Sequence, residues 1–249
     1  GGRAMIYAAA KTADLMVDAG RRQDRATQDK HDDTLGFYTP ILKGFLTEMG
    51  LEAANLGMQV FGGHGYIHEH GMEQIARDAR IATLYEGTTG IQALDLLGRK
   101  ILLGTRGKCV RDFSRIMLRS AKTHWLAHGS IGRMARSTAK RAIEWNLLTL
   151  RITRRVGKDR DLVGSASVDY LMYSGYVMMA HFWVRQAAVA QTLLRNGKGA
   201  ESAEFYRAKI QTAEFYFDRL LPRADAHRKS ALAPTRSLMQ MGNGDFAFS

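Results

Sequence analysis

The chain has 249 residues, 45% of them hydrophobic and 24% charged, an ordinary globular composition that excludes intrinsic disorder and is long enough to enclose a core. A single cysteine, Cys109, excludes a disulfide framework and cannot by itself assemble a zinc site. The longest charge-free apolar run, Tyr170 to Val184, is shorter than the roughly 20 residues of a membrane span, and no N-terminal segment has signal-peptide form, so a cytoplasmic protein without a membrane span is expected.

The net charge of +12 is unevenly placed. Residues 101–160 hold 15 Lys/Arg against 3 Asp/Glu, while the rest of the chain balances at 21 of each. Such a segment suits nucleic acid, an acidic partner or a phosphate-bearing ligand, and equally a solvated helix face. Nucleic acid is the weakest of these, because neither stacking aromatics nor a groove-reading motif accompanies the charge.

The chain opens directly in helical periodicity through Leu15, Met16 and Ala19, without an initiator methionine or a capping signal. That predicts a start inside a helix, as in a piece of a longer protein. Residues 20–38 are polar and charged and read as a loop or a polar helix end. Thr39-Pro40 then reads as an N-cap followed by proline at the first helical position. Leu42, Leu46, Met49, Ala53, Leu56 and Val60 follow at helical steps as one apolar stripe, and Gly62-Gly63-His64-Gly65 ends that helix. A connection to about Gly71 leads into a short helix through Arg80. Gly87 breaks the chain again, and Thr88 caps a helix with Ile91, Leu94, Leu97 and Ile101 on its apolar face. Beyond Gly107, Arg111, Arg115, Arg119 and Lys122 form a positive stripe at helical spacing. A very apolar helix is expected from about Ser165 to Arg195, another over 200–221 ended by Pro222, and a weakly structured tail after Pro234. With no strand alternation and no repeat, the chain reads as all-α in two parts, 1–107 and 108–249.

Four groups of residues bear on chemistry. Gly104-Thr105-Arg106-Gly107-Lys108 is not a phosphate loop, since two residues rather than four separate its glycines and Cys109 follows the lysine. His64, His68 and His70 lack a carboxylate or cysteine at ligand spacing, and no Glu-x-x-His pair marks a di-iron bundle, so no metal is expected. Phe61-Gly62-Gly63-His64-Gly65-Tyr66 reads either as a helix end and turn or as backbone open to close approach by a phosphate. Tyr85-Glu86-Gly87-Thr88-Thr89-Gly90 places a carboxylate just before a helix cap. There Glu86 reads either as a general base or as a solvated helix-start charge.

Residues 39–104 together resemble the C-terminal catalytic domain of flavin-dependent acyl-CoA dehydrogenases. The matching anchors are Gln59-Val60-Phe61-Gly62-Gly63-His64-Gly65-Tyr66, Arg77-Asp78-Ala79-Arg80 and Tyr85-Glu86-Gly87-Thr88, in the family's order and spacing. The text after Glu86 resembles the subgroup with an extra C-terminal helical domain, which includes long-chain and methylmercaptopropionyl-CoA dehydrogenases; residues 108–249 fit that extension. The resemblance implies an all-α fold, a helical bundle followed by a second helical domain. It implies FAD as cofactor, an acyl-CoA substrate, a homo-oligomer (dimer or tetramer), and an electron-transfer flavoprotein or similar acceptor. It places Glu86 as the base removing the α-proton, Gly87 against the thioester, Thr88 on FAD, and Gln59, Gly62 and Gly63 on the FAD of a neighbouring subunit. Gly90 stands where many members carry a longer polar side chain. The family's N-terminal helical and β-domains, which hold most of the flavin, lie outside these 249 residues, so the residues alone are expected to bind FAD poorly and not to turn over. A non-catalytic scaffold of the same fold and a basic nucleic-acid-binding helical protein are the competing readings.

Overall fold

The computed structural model describes residues 1–197 and 199–246, and every regular element among them is helical. Helices α1 (Gly2–Arg21) and α2 (Arg25–Val60) are followed by the single turn α3 (Gly63–Tyr66), a 3-10 turn (His68–His70) and α4 (Met72–Ile81). Helix α5 (Thr89–Leu94) runs into a π-helix over Asp95–Gly104. Then come α6 (Lys108–Thr123), α7 (Ser130–Val156), α8 (Leu162–Asn196), α9 (Ala203–Phe215) with a π turn (Tyr216–Leu220), α10 (Arg223–Ser230) and α11 (Arg236–Met239). The tail after Pro234 thus holds the short α11 and a 3-10 turn over Asn243–Phe246, with residues 247–249 outside the described set.

Three expectations are corrected. Helix α2 begins not at Thr39-Pro40 but at Asp24, whose carboxylate accepts from the Thr27 N–H at 3.1 Å, so residues 25–38 are helix rather than loop. Pro40 lies in the helix interior, where it removes a backbone donor and costs about 3 kcal/mol. The buried side chains around it, Phe37, Tyr38, Ile41 and Phe45, outweigh that cost. The second correction concerns the α2 stripe. Leu42, Leu46 and Met49 are only half-buried, and Leu56 and Val60 are 58% and 85% exposed. Periodicity marks an apolar face without saying what covers it.

The third lies after Thr88. Ala93, Leu96, Leu97 and Ile101 are buried, whereas Ile91 and Leu94 are exposed. The buried residues keep a helical spacing but on a face turned from the one the apolar stripe marks, and the exposed Ile91 and Leu94 lie before the π-helix, in which the Thr105 N–H reaches the Lys100 carbonyl at 3.0 Å.

Helix α8 is the central post. Its 35 residues include 20 buried ones, and α2, α5, α7, α9 and α10 pack around it. Two glycines let α2 and α8 approach: a Cβ at Gly44 would meet Leu171 Cδ1 at 2.8 Å, and one at Gly175 would meet Phe45 Cγ at 2.1 Å. Phe45 fills the Gly175 notch and lies edge-on to Tyr176, with ring centroids 4.9 Å apart. One contiguous core therefore runs from Met5 through Phe45 and Trp145 to Ala231. Polar straps reinforce it. Arg141, buried on α7, makes a two-pronged pair with Asp225 of α10 at 2.6 and 2.7 Å. Arg223 of α10 grips Glu52 of α2 at 2.6 and 2.8 Å.

The basic stripe on α6 is the solvent face of an amphipathic helix. Val110, Phe113, Met117 and Ala121 are buried, while Arg111, Arg115, Arg119 and Lys122 are exposed. Asp112 pairs with both Lys108 and Arg115, at 2.6 and 2.7 Å, which neutralises part of the stripe.

His181 of α8 is buried edge-on against Phe113 and Phe182, and desolvation, helped by Arg185, pushes its imidazole from 6.5 down to about 4. The native side chain stays neutral where the unfolded one takes up a proton. Stability should therefore be level above pH 6.5 and fall as the pH drops towards 4, by at most roughly 3 kcal/mol from this group. Urea midpoints at pH 7 and pH 5 test this: His181→Phe should remove that part of the pH dependence, and an unchanged slope would refute it.

Candidate active site

The turn between α4 and α5 carries the chemistry-bearing residues. Helix α4 ends at Ile81, and the chain turns through Thr83, which is buried and donates to the Arg80 carbonyl at 3.0 Å. Glu86 then adopts a left-handed conformation, φ +50°, and Gly87 follows at φ +93°. A non-glycine residue there is strained and persists only where its surroundings hold it. Gly87 is favoured by its positive φ, and a Cβ there would also displace the flexible end of Gln92, whose Nε2 stands 2.5 Å away. Thr88 caps α5 as expected, its hydroxyl accepting from the Ile91 N–H at 3.4 Å. No backbone or side-chain acceptor among the described residues meets the Glu86 N–H. The Glu86 side chain is exposed, so the flanking apolar residues of this chain do not desolvate it.

Helix α2 braces this turn from below. Lys43 donates its ammonium to the Ala82 carbonyl and places it 4.8 Å from the centre of the Tyr85 ring. Glu48 accepts from the Thr89 hydroxyl. Neither residue is legible as part of the site, because each sits in an ordinary helical stretch some 40 residues away and only the packing of α2 against α4 and α5 brings it there. Gln92, the residue against Gly87, carries a weaker signal: it follows the Thr88 cap by four positions, one helical turn on.

The glycine cluster lies elsewhere. Gln59 is exposed on the last turn of α2, and Gly62 (φ +59°) and Gly63 are exposed with nothing within 4 Å of where a Cβ would stand. Gly65 is the member that close packing demands, since its Cβ would meet the Met58 carbonyl oxygen at 2.4 Å. From Lys43, beneath Tyr85, to Gln59 is 16 helical residues, or about 24 Å along α2. One chain therefore does not bring Gln59, Gly62 and Gly63 together with Glu86, Gly87 and Thr88. Between the two places runs a groove of about 1080 Å³ along α2 and α4, lined by Asn55, Met58, Tyr66, Arg77, Arg80 and Leu84 among others. Of the nearby histidines, His68 Nδ1 pairs with Glu73 at 3.1 Å, and His64 and His70 lie edge to face at 5.3 Å.

Replacing Gly87 with alanine should strain the backbone and displace Gln92. We expect a loss of more than about 1 kcal/mol in thermal unfolding, larger than for Gly90→Ala, where a Cβ has open space.

Comparison with known proteins places this arrangement in a class. Residues 1–102 match the family described as acyl-CoA dehydrogenase, C-terminal domain, and residues 111–242 match acetyl-CoA dehydrogenase C-terminal like. The chain belongs to the acyl-CoA dehydrogenase family, whose members are flavin-dependent, and corresponds to its C-terminal part. Among curated relatives it is 34% identical over 226 residues to 3-methylmercaptopropionyl-CoA dehydrogenase of Ruegeria pomeroyi, covering 91% of this chain and 37% of that protein. It is 28% identical over 213 residues to a broad-specificity linear acyl-CoA dehydrogenase of Mycobacterium tuberculosis, covering 83% and 34%. A butyryl-CoA dehydrogenase of Syntrophomonas wolfei is 27% identical over 235 residues, covering 88% and 35%. The chain thus spans little more than a third of the length of these relatives. Among the described residues no helix is long and apolar enough to cross a membrane.

Proposed function

We propose that this chain is the C-terminal part of an FAD-dependent acyl-CoA dehydrogenase that introduces an α,β double bond into an acyl-CoA thioester, with Glu86 as the base. The observation that carries the reading is the strained Glu86-Gly87 turn, held by Lys43 and Glu48 and followed by the Thr88 cap. Gln23, Glu86 and Arg106 are the described non-glycine residues at positive φ, and of these Glu86 alone is a carboxylate on a turn braced from α2.

In this reading the Glu86 carboxylate removes the α-proton, and the surrounding parts of the full-length protein exclude water from it on binding substrate. The Glu86 backbone N–H, which has no acceptor here, donates to the thioester oxygen as negative charge develops on it. Gly87 leaves room for the thioester beside the base. The residues fit a dinucleotide cofactor: Gly62 and Gly63 leave their backbone uncovered for close approach, and Thr88 offers a hydroxyl near the base. FAD, when bound, supplies the hydride acceptor at flavin N5. The separation of about 24 Å along α2 supports contact of Gln59, Gly62 and Gly63 with the cofactor of a neighbouring subunit, which makes the enzyme a homo-oligomer. Two matched segments, 1–102 and 111–242, support a division into functional units near residue 107, although the two share a core. An electron-transfer flavoprotein or similar acceptor would reoxidise the flavin.

Anaerobic titration of the full-length protein with acyl-CoAs of increasing chain length tests the proposal. Bleaching of the oxidised flavin band is the expected result. A full-length protein that binds no flavin, or a bound flavin that no thioester bleaches, would overturn it.

A further inference from the structure

Between α1, α6, α8 and α9 lies an open-sided cavity of about 760 Å³, within the size range of small-molecule sites, roughly 300–1,000 Å³, with Leu15, Ile116, Val189 and Phe205 exposed along it. Leu15, Phe113, Ile116, Phe182, Val189 and Phe205 give it apolar walls. Three cationic side chains also line it, Lys11 from α1, Arg185 from α8 and Lys209 from α9, and no carboxylate does. None of the three is in an ion pair among the described residues. Lys209 lies over the Phe205 ring, 4.9 Å from its centre, and no carboxylate in the lining offsets the three cations, so the cavity presents a positive field to an anion.

A second, independent feature is His181. It lines the same cavity, is 2% exposed, and its Nδ1 has no hydrogen-bond partner. That atom is closed to solvent, so a ligand in the cavity meets the wall that His181 forms and not Nδ1 itself. As a neutral imidazole, His181 offers one donor and one acceptor nitrogen.

We propose that this cavity is a second ligand site, distinct from the Glu86 turn, for an aliphatic chain that ends in an anion, a carboxylate or a phosphate. The chain lies against the apolar walls, and the anionic head sits among Lys11, Arg185 and Lys209. The two sites share no residue, and Tyr38 of the cavity and Lys43 of the turn are about 140° apart around α2. The proposal goes beyond the dehydrogenase reading and does not depend on it.

The test uses the full-length protein, with dodecanoate, dodecyl phosphate and uncharged dodecanol titrated calorimetrically. We expect saturable binding of at least one anion, weakened by added salt, with dodecanol at least about tenfold weaker. The better of the two anions identifies the head group. Arg185→Gln with Lys209→Gln should weaken anion binding about tenfold, and Val189→Trp, which fills the cavity, should abolish it. Both variants should keep wild-type flavin bleaching by acyl-CoA, so failure here and failure of the dehydrogenase reading give different results. Absence of saturable anion binding, equal affinity for dodecanol, or unchanged affinity in the charge variant would each overturn the proposal. The charge variant alone decides if the tryptophan variant does not fold.

Discussion

Replacing Glu86 by glutamine in the full-length protein should leave flavin bound and the fold intact while slowing bleaching by acyl-CoA by roughly 10²–10⁴-fold, the range a positioned general base contributes. Glutamine keeps the length and the hydrogen-bonding oxygen of glutamate but cannot accept the α-proton. Because Glu86 is exposed in this chain and its only local constraint is its own backbone, the substitution removes no packing. Its effect belongs to the rate rather than to stability. Wild-type and variant are compared anaerobically under single-turnover conditions, with the thermal unfolding midpoint as control. A variant that bleaches at the wild-type rate would assign the proton to another group. Glu86→Asp makes the position explicit: the shorter side chain keeps the chemistry but retracts the carboxylate, so an intermediate rate is expected.

The second large effect is on stability. Phe45 is fully buried, and it fills the notch that Gly175 opens in α8. Phe45→Ala should cost about 3–5 kcal/mol, the lost transfer energy plus a cavity that two close-packed helices cannot collapse. Thermal unfolding should move down by roughly 10 °C. Phe45→Leu keeps a branched carbon in the notch and should lose much less. Phe45 also lies between Lys43 and Glu48, the residues that hold the Glu86 turn. Loosening it should therefore weaken acyl-CoA turnover as well, in contrast to an equally destabilising substitution at a distant core position such as Ile152. A shift of under 1 °C would mean that the α2–α8 contact is not the keystone described above.

The helices and the break between α4 and α5 were legible in the sequence because their signals are local. The Thr88 cap, the glycines that break α2 and the apolar run of α8 each depend on neighbours within a few positions. The errors arose where distant packing outvoted local preference. Pro40 is a strong helix-start signal, yet Phe37 and Phe45 on either side hold it inside a helix. After Thr88 the buried face falls on Ala93, Leu96, Leu97 and Ile101, a helical spacing offset from the apolar stripe, because apolarity does not say which face a neighbour covers. The residues that brace the turn, Lys43 and Glu48, carry no pattern at all. Glu86, Gly87 and Thr88 are singled out as site residues by a resemblance across three linked motifs, while spacing alone leaves Glu86 between a base and a solvated charge.

The Phe45–Gly175 lock also has a consequence in time. A ribosome adds about 5–20 residues per second, so on the order of 10 s separates the emergence of Phe45 from that of the helix that receives it. During that interval the apolar face of α2 has no α8 to lie against, and any nascent bundle must wait with its central surface bare. A chain stopped before α8 is therefore expected to aggregate rather than to fold as a smaller unit, since α8 supplies the surface that Phe45 packs against.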